Sequence, residues 1–196
     1  MAIGDPYISA GELKAVLGIS SNEEDALITR ALAAATRAID NMSGYSSFWK
    51  TGTAQTRTID CEGRILPKRG RFQYAKLLLP DPIATLTGFA VPYYPSASCL
   101  PSDCFARGEP AFALKLPLTA ATASDTISVT AYWGFPEVPA DIVMACQMQA
   151  QRYYKRRGSP EGIAGNAEWG MMRIPKLDPD VVAIMQNGGY VTPGIG

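Results

Sequence analysis

Thr126-Ile127-Ser128-Val129-Thr130-Ala131-Tyr132-Trp133-Gly134-Phe135-Pro136-Glu137-Val138-Pro139-Ala140-Asp141-Ile142 changes its period half-way along. In the first half, Ile127, Val129 and Ala131 alternate with Ser128 and Thr130, the two-residue rhythm of a half-buried strand. From Pro139 the rhythm is helical: Ile142, Ala145, Cys146, Gln149, Ala150 and Tyr153 form one mostly apolar stripe. Pro139 suits a first helical position and Asp141 the first turn. Arg152, Lys155, Arg156 and Arg157 load the far end, where cations offset the helix dipole, and Gly158-Ser159-Pro160 stops it. A sheet therefore ends where a long helix begins.

Upstream of this junction the chain is first helical, then strand-like. Ser9-Ala10-Gly11-Glu12 has the spacing of a capping box, and the short helix it opens ends at Gly18. Ser21-Asn22-Glu23-Glu24 repeats the signature before a longer helix with Leu27, Ile28, Ala31, Leu32, Ala35, Ala38, Ile39 and Met42 on one face. Glu23, Glu24 and Asp25 suit its positive end, and Gly44 stops it. Its alanines permit close approach of another backbone, either from the same chain or from a neighbouring subunit. Strand-like runs follow at Gln55–Asp60, Tyr74–Leu79, Ile83–Val91, Ala111–Leu116 and Thr126–Trp133. Pro80-Asp81-Pro82 is expected to end the second run, and Gly88 to break the third. The segment Pro92 to Pro110, with four prolines, is too long for a tight hairpin and reads as a contact loop.

The expected fold is α+β: a small helical bundle with an inserted antiparallel β subdomain of four or five strands and an extended C-terminal tail. Residues 1–50 supply the N-terminal helices, 51–137 the β subdomain, 138–158 the returning helix and 159–196 a Gly/Pro-rich tail. In that tail Asp178 and Pro179 open one short helix with Val181 to Gln186 as its body, and Asn187-Gly188-Gly189 ends it. No side chain from Val181 onward is charged.

Composition narrows the function. The chain has 196 residues, a length for one domain or one domain with an insert. Lys+Arg and Asp+Glu are 18 each, so the chain is neutral overall, unlike a general nucleic-acid binder. Charged residues make up only 18%, and a sparsely charged neutral surface suits a protein that lives in an assembly. Histidine is absent, which removes Ser-His-Asp and Cys-His catalysis, His-ligated zinc and the commonest general base. Cys61, Cys99, Cys104 and Cys146 lack the two tight pairs of a cysteine zinc site and are expected as free, mostly buried thiols. No run of apolar residues is long enough to span a membrane. The first residues have neither the basic region nor the apolar core of a signal peptide, so a cytoplasm-like compartment is expected.

Little in the sequence points to a reaction. Phosphate-loop, dinucleotide and zinc-protease motifs are missing, and Gly162-Ile163-Ala164-Gly165 lacks a preceding strand and a following Lys-Ser/Thr. Asp178 and Asp180 could share a proton or a metal, but their place at a helix start reads first as a cap. Two basic clusters remain: Arg64, Lys68, Arg69, Arg71 and Lys76, and then Arg152, Lys155, Arg156 and Arg157. Each is either a solvated loop or helix end, or a set of phosphate contacts without base specificity. The apolar residues Leu177, Val181, Val182, Ile184, Met185, Tyr190, Val191 and Ile195 either pack back on the chain's own helices or insert into a partner.

The order of these features resembles the head–tail connector (adaptor) proteins of tailed bacteriophages. Tyr7-Ile8-Ser9-Ala10-Gly11-Glu12-Leu13-Lys14-Ala15-Val16-Leu17-Gly18-Ile19 is similar to their opening. The acidic-then-alanine helix from Glu24 to Tyr45, the proline-flanked Leu77-Leu78-Leu79-Pro80-Asp81-Pro82-Ile83, and the return from Ile127 to Ile142 with its basic-ended helix resemble their successive elements. The likeness covers residues 7–157, and the short helix near Val181 fits the family's end. It implies a structural protein without activity or cofactor. Copies would form a ring, commonly of twelve, at the head–tail junction of the virion, after assembly in the host cytoplasm. The partners would be the portal protein, bound through the C-terminal end (Leu177 to Ile195), a stopper or tail-completion protein, and duplex DNA passing non-specifically. Arg64, Lys68, Arg69, Arg71, Arg152, Lys155, Arg156 and Arg157 are the candidate channel contacts. A small nucleic-acid-binding module using 64–76 and 152–157 is the alternative class.

Overall fold

The computed structural model describes residues 4–68, 74–90, 110–117, 125–156, 163–164, 172–173 and 177–191. The elements in chain order are α1 (Ala10–Leu17), α2 (Asp25–Ser43), β1 (Gln55–Asp60), β2 (Ile65–Lys68), β3 (Tyr74–Ala90), β4 (Ala111–Pro117), β5 (Thr126–Trp133), α3 (Ala140–Lys155), β6 (Ile163–Ala164), β7 (Met172–Arg173) and α4 (Pro179–Asn187). The fold is α+β. It divides into a sheet unit, residues 45–137, and a helical unit made of residues 4–44 and those from 138 onward.

In the helical unit α1 is closed by the expected capping box. The Ser9 Oγ accepts from the Glu12 N–H at 3.2 Å, and the Ser9 N–H donates to the Glu12 carboxylate at 2.7 Å. The Ser9 hydroxyl, which also donates to the Glu12 carboxylate at 2.7 Å, and then the Ser9 N–H hold that carboxyl below its usual pKa. Gly18 and Gly44 end α1 and α2 in the left-handed conformation that glycine adopts without strain. The second capping box does not form. α2 starts at Asp25, and no side chain caps it. The Glu24 carboxylate that would complete it accepts instead from the Tyr154 hydroxyl, while the Lys14 ammonium takes both Asn22 and Asp25 at 2.7 Å, tying the end of α1 to the first turn of α2.

The alanine face of α2 serves the chain itself. Ala31 and Ala35 are buried with Ile28, Leu32 and Ile39, and α2 packs on α3, which contributes Ile142, Ala145, Cys146 and Ala150. Small side chains let the two backbones approach, and the Thr36 hydroxyl reaches the Cys146 sulfur at 3.6 Å. Leu27, expected on this face, is 41% exposed.

The sheet unit is five-stranded and antiparallel, in the order β1-β5-β3-β2 with β4 on the free side of β3. Two expectations need correction. Pro80-Asp81-Pro82 does not end a strand: β3 runs unbroken from Tyr74 to Ala90. The register shifts between Leu78 and Ile83, where β3 passes from pairing β2 and β4 to pairing β5. At such a shift the ladder asks for no N–H, so prolines are tolerated. Nor is the first basic cluster all loop, because Ile65–Lys68 forms β2 and pairs with Tyr74–Leu77. Ile59, Leu77, Ile83, Leu86, Leu114, Ile127, Val129, Ala131 and Trp133 make the core. The alternation first seen at 127–133 is the burial pattern of β5.

Candidate functional site

The sheet unit holds one dense polar node. Asp81, in the middle of β3, is 5% exposed. Its carboxylate accepts from the Ser46 N–H and the Ser46 hydroxyl, each at 2.6 Å, and from the Arg57 guanidinium. Arg57 also lies over the Trp133 ring, 4.6 Å from its centroid. The Trp133 indole N–H donates to the Gln55 carbonyl at 2.9 Å, and the Trp133 backbone N–H to the Thr51 hydroxyl at 3.1 Å. Gly134 (φ 103°) then passes so close to Trp49 that any Cβ would overlap the Trp49 carbonyl. The space lined by Ser46, Ser47, Trp49, Thr51, Arg57, Asp81, Trp133 and Gly134 admits no water-sized group.

This node is therefore a clamp and not a reaction centre. Every ionised group in it is paired within the chain, and the space is too small for substrate. Burial, and then the Asp81 carboxylate, push the Tyr45 phenol above its usual pKa, so it stays neutral. Burial likewise raises the Cys61 and Cys146 thiols, which makes poor nucleophiles of them. Among the described residues no cluster of three or more acids and cysteines could hold a metal, and no buried side-chain nitrogen or oxygen lacks a partner. No described helix is long and apolar enough to cross a membrane.

The second constellation is the seam between α3 and α4 in the helical unit. Asp178 caps α4 by accepting from the Asp180 N–H at 3.1 Å. Its other oxygen accepts from Arg152 at 2.8 Å, and its own N–H donates to the fully buried Gln149 side chain at 3.0 Å. Arg152, and to a lesser degree the Asp180 N–H, hold the Asp178 carboxyl below its usual pKa. The Asp178–Asp180 pair is thus a cap and an ion-pair partner. Sequence spacing found the cap, but not the Gln149 and Arg152 partners on another helix.

The proposed docking residues are divided by this seam. Val181 and Met185 are fully buried in the helical unit, while Leu177, Val182, Ile184, Tyr190 and Val191 are half-buried; Ile195 lies outside the described residues. The channel candidates are divided too. Arg152 is engaged by Asp178, Lys155 is exposed, and Arg64 and Arg156 are half-buried. Lys68 lies on β2, and Arg69, Arg71 and Arg157 are outside the described residues. The contact loop (residues 91–109) and most of 157–176 are outside them as well.

Sheet unit and helical unit together make an α+β fold in which, among the described residues, the buried polar side chains are satisfied within the chain. Among solved structures the chain is similar to one from the neck of an empty GTA particle, computed with C6 symmetry. The TM-score is 0.50 at 20% identity, covering 100% of this chain and 95% of that one, so the likeness is one of fold across the whole length. No family model and no curated protein matches the chain.

Proposed function

We propose that this chain is a head–tail connector of a tailed phage or phage-like particle, a ring-forming adaptor between the portal and the stopper or tail. One observation carries the reading: its fold follows, over nearly the full length of both chains, a chain from the neck of a GTA particle. The independent likeness of residues 7–157 to the adaptor family points the same way. Twelve copies, the family's common number, are compatible with a sixfold axis. The buried polar clamp and the protonated thiols suit a scaffold that transforms nothing.

In this reading DNA passes through the ring, and Lys155, Arg64, Lys68 and their neighbours meet phosphate without gripping it. Val181 and Met185 anchor α4, while Leu177, Val182, Ile184, Tyr190, Val191 and Ile195 are the portal-facing apolar groups. The test is binding of the purified chain to portal rings of the same particle, followed by native mass spectrometry. Truncation after Gly189 removes Tyr190 to Gly196 and leaves α4 in place. Full-length protein should bind and the truncated form should not. Equal binding by both overturns the docking assignment; no binding by the full chain overturns the connector reading.

A further inference from the structure

The pairing of β2 with β3 builds one surface out of cations and leucines. Leu66 lies opposite Lys76, and Lys115 of β4 takes the register position on the other side of Lys76. In the next row the Arg64 carbonyl, just before β2, accepts from the Leu78 N–H at 2.9 Å, which sets Arg64 opposite Leu78. Residues two apart on a strand share a face, so Arg64, Leu66, Lys76 and Leu78 stand together. Leu66 is 49% exposed, Leu78 is 37% exposed and Lys76 is exposed between them, while Ala75 and Leu77 on the other face are fully buried. No acid stands in either row. Arginine and lysine donate hydrogen bonds and accept none, so this apolar face carries donors only.

The outward face of α3 has the opposite character. Ile142, Ala145, Cys146, Gln149 and Ala150 are its buried side. Asp141, Met144 and Met148 follow one another at three and four residues on the side turned away, and Gln147 and Gln151 continue the same stripe. Met144 is 50% exposed, Asp141 is exposed, and the other three are half-buried. Asp141 enters no hydrogen bond or ion pair among the described residues. Cations come only at the far end of α3, where Arg152 is held by Asp178 and Lys155 follows. This face therefore offers a carboxylate and two amide carbonyls as acceptors around a pair of methionines. The other exposed apolar residues have no such neighbour: the Glu12 carboxylate one turn before Val16 is taken by Ser9, Arg30 stands one turn beyond Leu27, and Phe112 packs on Tyr45 and Phe135.

We infer that the face Arg64–Leu66–Lys76–Leu78 of one copy docks on the outward face of α3, Asp141–Met144–Met148, of the next copy. The inference rests on the connector reading and names the surfaces by which its ring is built. A contact between two different faces is heterologous, the kind that propagates around a ring. Lys76 pairs with Asp141, the leucines cover the methionines, and the remaining donors meet the amides of Gln147 and Gln151. Methionine is flexible enough to fill the spaces between leucines on a pleated surface. A surface that only met DNA phosphates has no use for two exposed leucines beside its lysine.

Lys76→Glu, Asp141→Lys and the chain carrying both changes test it by sedimentation velocity and native mass spectrometry, with circular dichroism to verify folding. Wild-type protein should associate in a concentration-dependent way. Each single variant sets like charge against like and should associate at least about tenfold more weakly. The double variant restores an opposite pair at every junction and should recover association. Carbodiimide coupling of an equal mixture of light and heavy-isotope protein should join Lys76 of one copy to Asp141 of another. Folded single variants that associate like wild type, or a double variant that recovers nothing, would overturn the inference. So would a wild-type chain that stays monomeric to about 1 mM. If Lys76→Glu weakens retention of duplex DNA and leaves association intact, the face belongs to DNA and the inference fails. Portal binding reads the connector proposal separately. Wild-type protein that associates through these faces but binds no portal keeps this contact and loses the connector reading, and one that binds portal with the single variants associating normally does the reverse.

Discussion

The sheet unit and the helical unit solve the same problem with different chemistry. The sheet unit is one continuous stretch, and its entering and leaving segments are stitched together where the Thr51 N–H donates to the Trp133 carbonyl at 2.8 Å and Phe48 stacks on Phe135 at 5.0 Å. At its centre sits a buried ion pair with a glycine pressed against a carbonyl. The helical unit joins two stretches separated by ninety-three residues, 45–137. It relies on small side chains between α2 and α3, and on caps at helix ends. The sheet therefore stakes its order on a few irreplaceable atoms, whereas the bundle spreads its order over many interchangeable contacts.

Substitutions at those few atoms should have the largest effects. Gly134→Ala places a Cβ into the Trp49 carbonyl at φ 103° and should cost about 3–5 kcal/mol, visible in urea unfolding followed by tryptophan fluorescence. A cost below about 1 kcal/mol would mean that the close approach relaxes freely. Asp81→Ala orphans Arg57 and both Ser46 donors. A buried pair broken this way costs about 3–5 kcal/mol, and the partly solvated Arg57 (25% exposed) brings the expectation to about 3 kcal/mol. Asp81→Asn should recover part of that loss by keeping the Ser46 bonds.

In the bundle, Ala35→Leu overfills the contact between α2 and α3 and should cost about 1–3 kcal/mol, measured by helical circular dichroism during unfolding. A neutral result would place α2 and α3 further apart than their buried alanines imply. The smallest effect belongs to the α4 seam. The Asp178 pKa is lowered in the fold, so its contribution is complete above the unfolded carboxylate value of about 3.9 and disappears as pH falls through the lower folded value. Asp178→Asn should cost about 1 kcal/mol at pH 7 and flatten the loss of stability below about pH 4. An unchanged pH profile would mean that Arg152 does not hold the carboxylate in solution.

Elements whose causes are local were legible in the sequence. The Ser9–Glu12 box, the stops at Gly18 and Gly44, the alternation of β5, the stripe of α3 and the Asp178–Pro179 start of α4 all have their reasons within four or five residues. Elements decided by distant partners were not. Asp81 looks like part of a strand terminator until Ser46, thirty-five residues away, and Arg57, twenty-four away, arrive at its oxygens. β2 hides its pairing behind Pro67 and a run of cations, and only β3 as partner makes a strand of it. Ser21 and Glu24 have the spacing of a capping box, but the Glu24 carboxylate is taken by Tyr154, one hundred and thirty residues away.

The sequence by itself determined the α+β class, the helix–sheet–helix order and the poverty of reactive groups, because periodicity, capping and the absence of histidine are local facts. Only the tertiary structure decided that β3 crosses its prolines, that Asp81 is a buried clamp, and that Leu27, Leu66 and Leu78 stay outside. A backbone N–H needs a ladder partner, a carboxylate needs donors, and a leucine needs cover. Whether each finds one depends on residues brought from far along the chain.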